Sequence, residues 1–140
     1  MAFRFLFATP LQETMKVKAN VFVEGASGKI LVRYGQGGLN LPTIIAGDDR
    51  TLKDHLTDVL VGLGIGDVVE DDIVLYNFDD VIEGEHIIFV TFKVRTRAGS
   101  VPEHLNYKFL SLSALKDSLD KFESPYDAFV TRLYILNPYN

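Results

Sequence analysis

One amphipathic helix with clear start and stop signals constrains the fold of this chain more than any other feature. Thr51 is a favourable N-cap residue, Asp54 stands three residues later, and Gly64 suits the left-handed position that follows a helix. Between these signals apolar residues recur at helical spacing and form one stripe, Leu52, Leu56, Val59, Leu60 and Leu63. Because such a stripe needs an apolar partner surface, we expect the neighbouring strands to pack on it.

Patterns typical of strands lie on both sides of this helix. Residues 16–23 and 29–34, separated by turn residues, predict a hairpin before it. Residues 73–78, 87–96 and 106–111 predict strands after it, and the continuously apolar start of 87–96 indicates a central strand covered on both faces. The charged stretches 66–72 and 79–86 are interpreted as a connector and a loop.

Two more helices are predicted near the C-terminal end. Ser113 is the expected cap of the first, whose apolar face includes Leu112, Leu115 and Leu119. The second covers residues 127–136 between two prolines, with Ala128, Leu133 and Leu136 as its apolar positions.

Length and composition favour one domain, residues 1–140, in which residues 1–16 form an N-terminal arm or strand. The absence of cysteine excludes disulfides, thiolate metal sites and a thiol nucleophile. The formal net charge of −5 argues against a nucleic-acid partner. Because no apolar run is long enough to cross a bilayer and the opening residues make no persuasive signal peptide, we expect a cytoplasmic protein without a membrane partner.

In two regions, around the first helix and near the C-terminal end of the chain, the sequence resembles the Nudix family of nucleoside-diphosphate pyrophosphohydrolases. Leu39-Asn40-Leu41-Pro42 matches the lead-in to the family motif and Gly64-Ile65 matches its end. A later strand, Leu-Ser-Leu step and helix also match, with Phe109 where tryptophan is common. Over roughly residues 17–136, this resemblance implies an α+β fold, an α/β/α sandwich with a central mixed β-sheet and helices on both faces.

The charged residues of the family motif are missing from this sequence. Thr43-Ile44 follows Pro42 in place of two glycines, Thr57-Asp58 replaces Arg-Glu, and Val61-Gly62 replaces a pair of glutamates. A register shifted by one residue does not restore the pair. The family implies that those glutamates hold divalent cations, so the resemblance predicts the fold together with a degraded catalytic motif.

The acids that remain near the motif are the candidate metal ligands, Asp49, Asp54 and Asp58. Asp54 and Asp58 share a helix face and, with Glu83 and Glu85 of the later loop, are also the candidate catalytic residues. If they support hydrolysis, the cofactor is Mg²⁺ or Mn²⁺; a protein without hydrolysis needs none. The competing interpretation is a solvated helix face and an ordinary charged turn.

Three side chains are candidates for contacting a ligand. The family arrangement implies that Arg33 and Arg95 come from neighbouring elements and meet a phosphate group. Tyr76, like other aromatic residues in the strand patterns, offers stacking area for a nucleobase, although the pattern itself favours a place in the core.

Three functions are consistent with these observations. The first is a Nudix-fold module that binds a nucleotide-like ligand, with weak or no hydrolysis. The second is a divergent pyrophosphohydrolase that depends on Mg²⁺ or Mn²⁺. The third is a protein-interaction domain, in which the aromatic tail from Tyr134 to Tyr139 and the N-terminal arm form a homodimer surface.

Overall fold

A computed structural model describes residues 15–46, 52–66 and 68–137 of the chain. In these ranges the strands are β1 (Met15–Glu24), β2 (Ile30–Gly35), β3 (Gly38–Asn40), β4 (Thr43–Ala46), β5 (Val68–Ile82), β6 (Glu85–Thr96) and β7 (Tyr107–Leu110). The helices are α1 (Leu52–Gly62), α2 (Leu112–Asp117) and α3 (Pro125–Leu136), with short 3₁₀ turns at Ala26–Gly28, Glu103–Leu105 and Leu119–Lys121. Thr51 and Asp49, named above as a cap and a metal ligand, lie outside the described residues, as do residues 1–14 of the arm.

The strands form one mixed sheet in the order β3-β2-β1-β6-β5, with β4 paired to β1 and β7 paired to β2. Strands β1 and β6 run parallel from the pair Met15–His86 to the pair Glu24–Arg95, whereas β5 and β6 form an antiparallel hairpin. Helices pack on both faces, and the predicted α+β architecture with a central mixed sheet is therefore confirmed.

The first face of the sheet packs on α1. Alternate residues of β1 and β6 join the apolar stripe of the helix in one core cluster, which includes Val17, Ala19, Val21, Val23, Ile88, Val90, Phe92, Leu52, Leu56, Leu60 and Leu63. Gly64 has a φ of +76° and its N–H donates to the carbonyl of Val61, so it ends the helix as predicted. The stripe and its stop signal are thus confirmed.

The opposite face packs on α2 and α3. Phe22 of β1, Ile30 and Val32 of β2, and Val130 and Tyr134 of α3 meet in a second cluster. Ser124 caps α3 by accepting a hydrogen bond from the Asp127 N–H, and Pro125 occupies its first turn, where a missing N–H costs nothing.

Both C-terminal helices differ from the sequence prediction in detail. Ser111, not Ser113, caps α2, since its hydroxyl accepts from the N–H of Ala114. Helix α3 begins at Pro125 rather than Asp127, and it buries Asp127, Val130, Thr131 and Tyr134. Leu136, one of the apolar positions named from the sequence, is 76% exposed. Two of the four buried residues are Asp and Thr, so the apolar positions of the sequence do not mark the buried face of this helix.

Strand β5 is longer than predicted. It runs from Val68 to Ile82 and absorbs most of the predicted acidic connector and part of the predicted loop 79–86. Only Glu83 and Gly84 form the turn, with φ of 51° and 81°, as expected in a two-residue hairpin. Pairing with β6, whose residues 88–94 are all buried, overrides the low strand propensity of the acidic residues. The prediction of a central strand at 87–96 is confirmed.

The predicted hairpin of the first two strands exists but is short. Strands β1 and β2 pair antiparallel at Glu24 and Ile30. Elsewhere β1 lies between β4 and β6, while β2 pairs with β3 and β7. Residues 15–16, assigned above to the arm, belong to β1. Within the described part of the chain, no helix is both long enough and apolar enough to span a membrane.

Candidate functional site

An open cleft of about 340 Å³ lies where β1, β2 and β4 meet the start of α3. Its lining combines two cations, two carboxyl groups, three neutral polar side chains and one apolar side chain: Lys18, Arg33, Glu123, Asp127, Asn40, Thr43, Ser124 and Ile45. This mixture distinguishes the cleft from the apolar clusters on either side of the sheet.

The strand register brings these residues together. In the pairing of β1 with β4, Lys18 is opposite Ile45 and Asn20 is opposite Thr43. In the pairing of β2 with β3, Arg33 is opposite Asn40. Side chains two residues apart on a strand share a face, so Lys18, Asn20 and Phe22 form a row that passes from the cleft into the core beneath α3.

Asp127 forms the floor of the cleft and is only 2% exposed. One carboxyl oxygen, Oδ2, accepts a hydrogen bond of 2.9 Å from the Leu41 N–H, and the other, Oδ1, accepts one from Nδ2 of Asn20. Burial raises the pKa of Asp127 above its usual range, although the Leu41 N–H, the Lys18 charge, the Asn20 amide and the Arg33 charge all act to lower it.

Glu123 closes one side of the cleft. Its backbone N–H donates to the carbonyl of Leu39 at 2.9 Å, and its carboxylate accepts a 3.1 Å hydrogen bond from the Asn40 amide. The neighbouring Phe122 forms a parallel bridge with Leu39. These contacts fasten the β2–β3 hairpin to the segment that leads into α3, so the hairpin and the helix hold the cleft between them.

An ion pair between a buried lysine and a partly exposed glutamate lies further along the same row of β1, beneath the C-terminal half of α3. Lys93 Nζ is 2.8 Å from Glu24 Oε2, and the Lys93 side chain is 1% exposed. The Tyr134 hydroxyl donates to the same carboxylate at 3.0 Å, and Arg95 Nε lies 3.8 Å from Oε1 of Glu24. Burial raises the pKa of Tyr134, and the adjacent Glu24 carboxylate raises it further.

Lowering the pH should reduce the free energy of unfolding, because it protonates Glu24 in this ion pair. Burial alone raises the pKa of Glu24, but hydrogen bonds from Lys93 and Tyr134 and the nearby positive charges outweigh it and hold that pKa below the ordinary 4.5. A lowered folded-state pKa gives a contribution that is complete above pH 4.5 and is lost as pH falls through the folded pKa. We therefore expect urea melts from pH 6 to pH 3 to show a steeper loss of stability for wild type than for Glu24→Gln; equal slopes would contradict this assignment.

The structure separates the predicted catalytic acids from the cleft. Asp54 and Asp58 are exposed on α1. Glu83 is exposed in the β5–β6 turn, and Glu85 pairs with Lys16 at 3.1 Å. Over residues 15–46, 52–66 and 68–137, no group of three His, Cys, Asp or Glu residues is arranged to hold a metal ion.

Of the predicted ligand contacts, Arg33 lines the cleft and the other two residues lie elsewhere. Arg95 lies beside the partly exposed Glu24, and Tyr76 packs against the core cluster that contains Phe22 and Tyr134. Sequence reasoning missed Lys18 and Asp127. The available signal was Asp127, an acid at helical spacing from Val130 and Tyr134 on the buried face of α3. Asn20 gave no signal, because it falls at a polar position of the alternation in residues 16–21.

No protein-family model and no curated protein matches this sequence. Solved structures do match. The MutT protein from Methanosarcina mazei Go1 is 16% identical with a TM-score of 0.64, and the alignment covers 93% of this chain and 99% of that one. The E. coli ORF135 protein is 18% identical with a TM-score of 0.66, covering 90% and 95%.

A Nudix hydrolase from Nitrosomonas europaea is 12% identical with a TM-score of 0.59, covering 84% of this chain and 88% of that one. The chain also spans 38% of a longer protein from Sinorhizobium meliloti 1021, at 19% identity and a TM-score of 0.63. Identities this low relate folds rather than activities. Taken with the mixed sheet between helices, these matches show that the chain has a Nudix-like fold.

Proposed function

We propose that this protein binds a nucleotide-like small molecule in the cleft between β1, β2 and α3, and that it hydrolyses pyrophosphate bonds weakly or not at all. The observation that carries the proposal is the position of two cations, Lys18 and Arg33, beside the buried carboxyl group of Asp127 in one open cleft. A ligand that complements this lining has an anionic part and a part that donates hydrogen bonds.

The two halves of the lining suit the two halves of such a ligand. The Arg33 guanidinium can hold phosphate oxygens through paired hydrogen bonds, and Lys18 adds a second positive charge. Asp127 and Glu123 offer acceptors to amino or hydroxyl groups. Ile45 is 63% exposed at the cleft and supplies apolar surface for a planar ring.

The weak hydrolysis in this proposal follows from the motif. Helix α1 carries Asp58, Val61 and Gly62 at the positions where the family resemblance implies glutamates. Those carboxylates would hold divalent cations, whose positive charge neutralises the pyrophosphate oxygens. Without them, less positive charge is available for hydrolysis. Mg²⁺ or Mn²⁺ therefore belongs to this proposal only if turnover is found.

Isothermal titration of AMP, ADP and ADP-ribose in EDTA, and again in Mg²⁺, tests the binding. We expect one or more of them to bind without metal. Lys18→Ala and Arg33→Ala should each weaken the affinity about tenfold, since each removes a charged hydrogen-bond donor. Lys116→Ala and Arg132→Ala are matched controls at exposed positions outside the cleft. Binding that is indifferent to Lys18 and Arg33 would place the site elsewhere.

A divergent hydrolase is the alternative, and the shared exposure of Asp54 and Asp58 on α1 favours it. It would use these residues with Asp49 and with Glu83 or Glu85. Metal-dependent release of AMP from ADP-ribose that disappears in both Asp54→Ala and Asp58→Ala would support it. Turnover that survives both substitutions would rule out this set of residues.

A protein-interaction domain is the second alternative. Phe129 and Leu136 on α3 are 44% and 76% exposed, which favours a contact surface on this helix. Tyr134, included above in the aromatic tail, is 1% exposed and belongs to the core instead. Light scattering at micromolar concentration decides whether the chain forms a homodimer; a monomer would count against this function.

A further inference from the structure

Asn20 is a polar residue at a position where the fold calls for an apolar one. It lies on β1 between Ala19 and Val21, and all three residues are 0% exposed. Its strand neighbours are Thr43 on β4, which lines the cleft, and Thr91 on β6. Burying a side-chain amide is costly unless it makes hydrogen bonds, so the location of its partner indicates what the residue does.

That partner is the carboxyl group at the floor of the cleft. Asn20 Nδ2 donates to Asp127 Oδ1, across 107 residues of sequence. Within the described residues the amide oxygen of Asn20 has no hydrogen-bond partner, so the bond to Asp127 is the interaction that orients this side chain. The Leu41 N–H holds the second oxygen of the same carboxyl group. Two donors, one on β1 and one in the connection between β3 and β4, therefore hold both oxygens of Asp127.

We propose that Asn20 is a positioning residue of the cleft, which holds the Asp127 carboxyl group in the orientation that receives a hydrogen-bond donor of the ligand. Asn20 does not line the cleft and acts through Asp127. The inference rests on the proposed function for its ligand, and on the geometry of the buried pair for the role of Asn20.

The orientation of the Asp127 carboxyl group matters because charged side chains surround it in the cleft. Lys18 and Arg33 lie on the strand side of the cleft, and Glu123 lies on the side of the segment before α3. Tyr126, the preceding residue on α3, has its pKa raised by burial and also by the Asp127 charge. Without the Asn20 amide, only the Leu41 N–H would hold the carboxyl group. Its other oxygen could then turn toward Lys18 or Arg33 and neutralise the charges that the anionic part of the ligand needs.

The first test needs no ligand. Carbon-13 NMR titration of the Asp127 carboxyl group should show that Asn20→Leu, which keeps the volume and removes the donor, raises the pKa of Asp127 by about one pH unit. The same variant should bind the tightest of AMP, ADP and ADP-ribose about tenfold more weakly. A pKa of Asp127 that does not change in folded Asn20→Leu would overturn the proposal.

A double variant that exchanges Asn20 and Asp127 distinguishes two roles for Asn20. One is to position the Asp127 carboxyl group, and the other is only to anchor α3 to β1. In Asn20→Asp/Asp127→Asn, the new amide at position 127 can donate to the new carboxylate at position 20 and can still accept from the Leu41 N–H. This variant should melt above Asn20→Asp alone, yet it should not recover the affinity, because the carboxyl group now lies beneath the helix. Recovery of wild-type affinity would show that a tie between β1 and α3 is all that Asn20 provides, and would refute the proposal.

Nucleotide binding and the orienting role of Asn20 can be refuted separately. If wild type binds none of the three nucleotides while Asn20→Leu still shifts the titration of Asp127, the nucleotide proposal fails and the orienting role of Asn20 stands. If wild type binds and Asn20→Leu changes neither the titration nor the affinity, the binding proposal stands and the role of Asn20 is refuted.

Discussion

Replacing Glu24 with alanine should lower the free energy of unfolding by about 3 kcal/mol, because it leaves a buried ammonium group without its carboxylate. Lys93 is fully buried, and its Nζ lies 2.8 Å from Glu24. The Tyr134 hydroxyl, donating to the same carboxylate, loses its acceptor as well. Arg95 cannot compensate, since it carries the same sign of charge as Lys93. Urea denaturation at pH 7, followed by circular dichroism, measures this loss.

Two further variants test whether the buried charge is the cause. Lys93→Met combined with Glu24→Gln removes both charges, keeps an acceptor for Tyr134, and should recover most of the lost stability. Glu85→Ala breaks the half-exposed pair with Lys16 and should cost no more than about 1 kcal/mol. If Glu24→Ala also cost no more than this exposed pair, the buried pair would not stabilise the fold in the way described.

Gly38→Ala should also be strongly destabilising, by about 3 kcal/mol or more, because strain and a backbone collision add together. Gly38 has a φ of +127°, which residues with a side chain rarely adopt. An added Cβ would stand 2.2 Å from the carbonyl oxygen of Lys121. That segment cannot retreat without breaking the hydrogen bond between the Glu123 N–H and the Leu39 carbonyl. Urea denaturation measures the effect.

Other glycines of the same chain provide the controls for Gly38. Gly35→Ala meets nothing within 4 Å and needs no positive φ, so it should be close to neutral. Gly28 has a φ of +73° in open space, so Gly28→Ala should cost about 1 kcal/mol from strain alone. A cost at Gly38 equal to that at Gly28 would mean that the hairpin moves away from Lys121 without loss.

The sequence predicts those elements whose cause is local. Helix α1 was predictable because its apolar spacing and Gly64 act within a few turns. Strand β6 was predictable because its buried residues are contiguous. Residues 68–72 at the start of β5 were not, because their acidic composition favours a loop and only pairing with β6 makes them a strand. Local propensity was overridden there by a tertiary partner.

The cleft was harder to predict than the fold for the same reason. Of its charged residues only Arg33 was identified from the sequence, through the family arrangement. Lys18 and Asp127 are brought into the cleft by strand register and helix docking. The spacing of residues along the chain does not reveal either of these. The predicted acids at Asp54, Asp58, Glu83 and Glu85 followed the family motif, and they remain predictions for activity measurements to test.

The cleft is assembled from distant stretches of the chain, and this has a consequence during biosynthesis. Its strand side comes from residues 18–45, and its helix side comes from residues 123–127. A nascent chain released or stalled before Glu123 therefore has Lys18 and Arg33 but neither carboxyl group of the lining. Because a ligand stabilises only the state that binds it, whatever occupies the cleft would protect finished chains from proteolysis and leave truncated ones exposed.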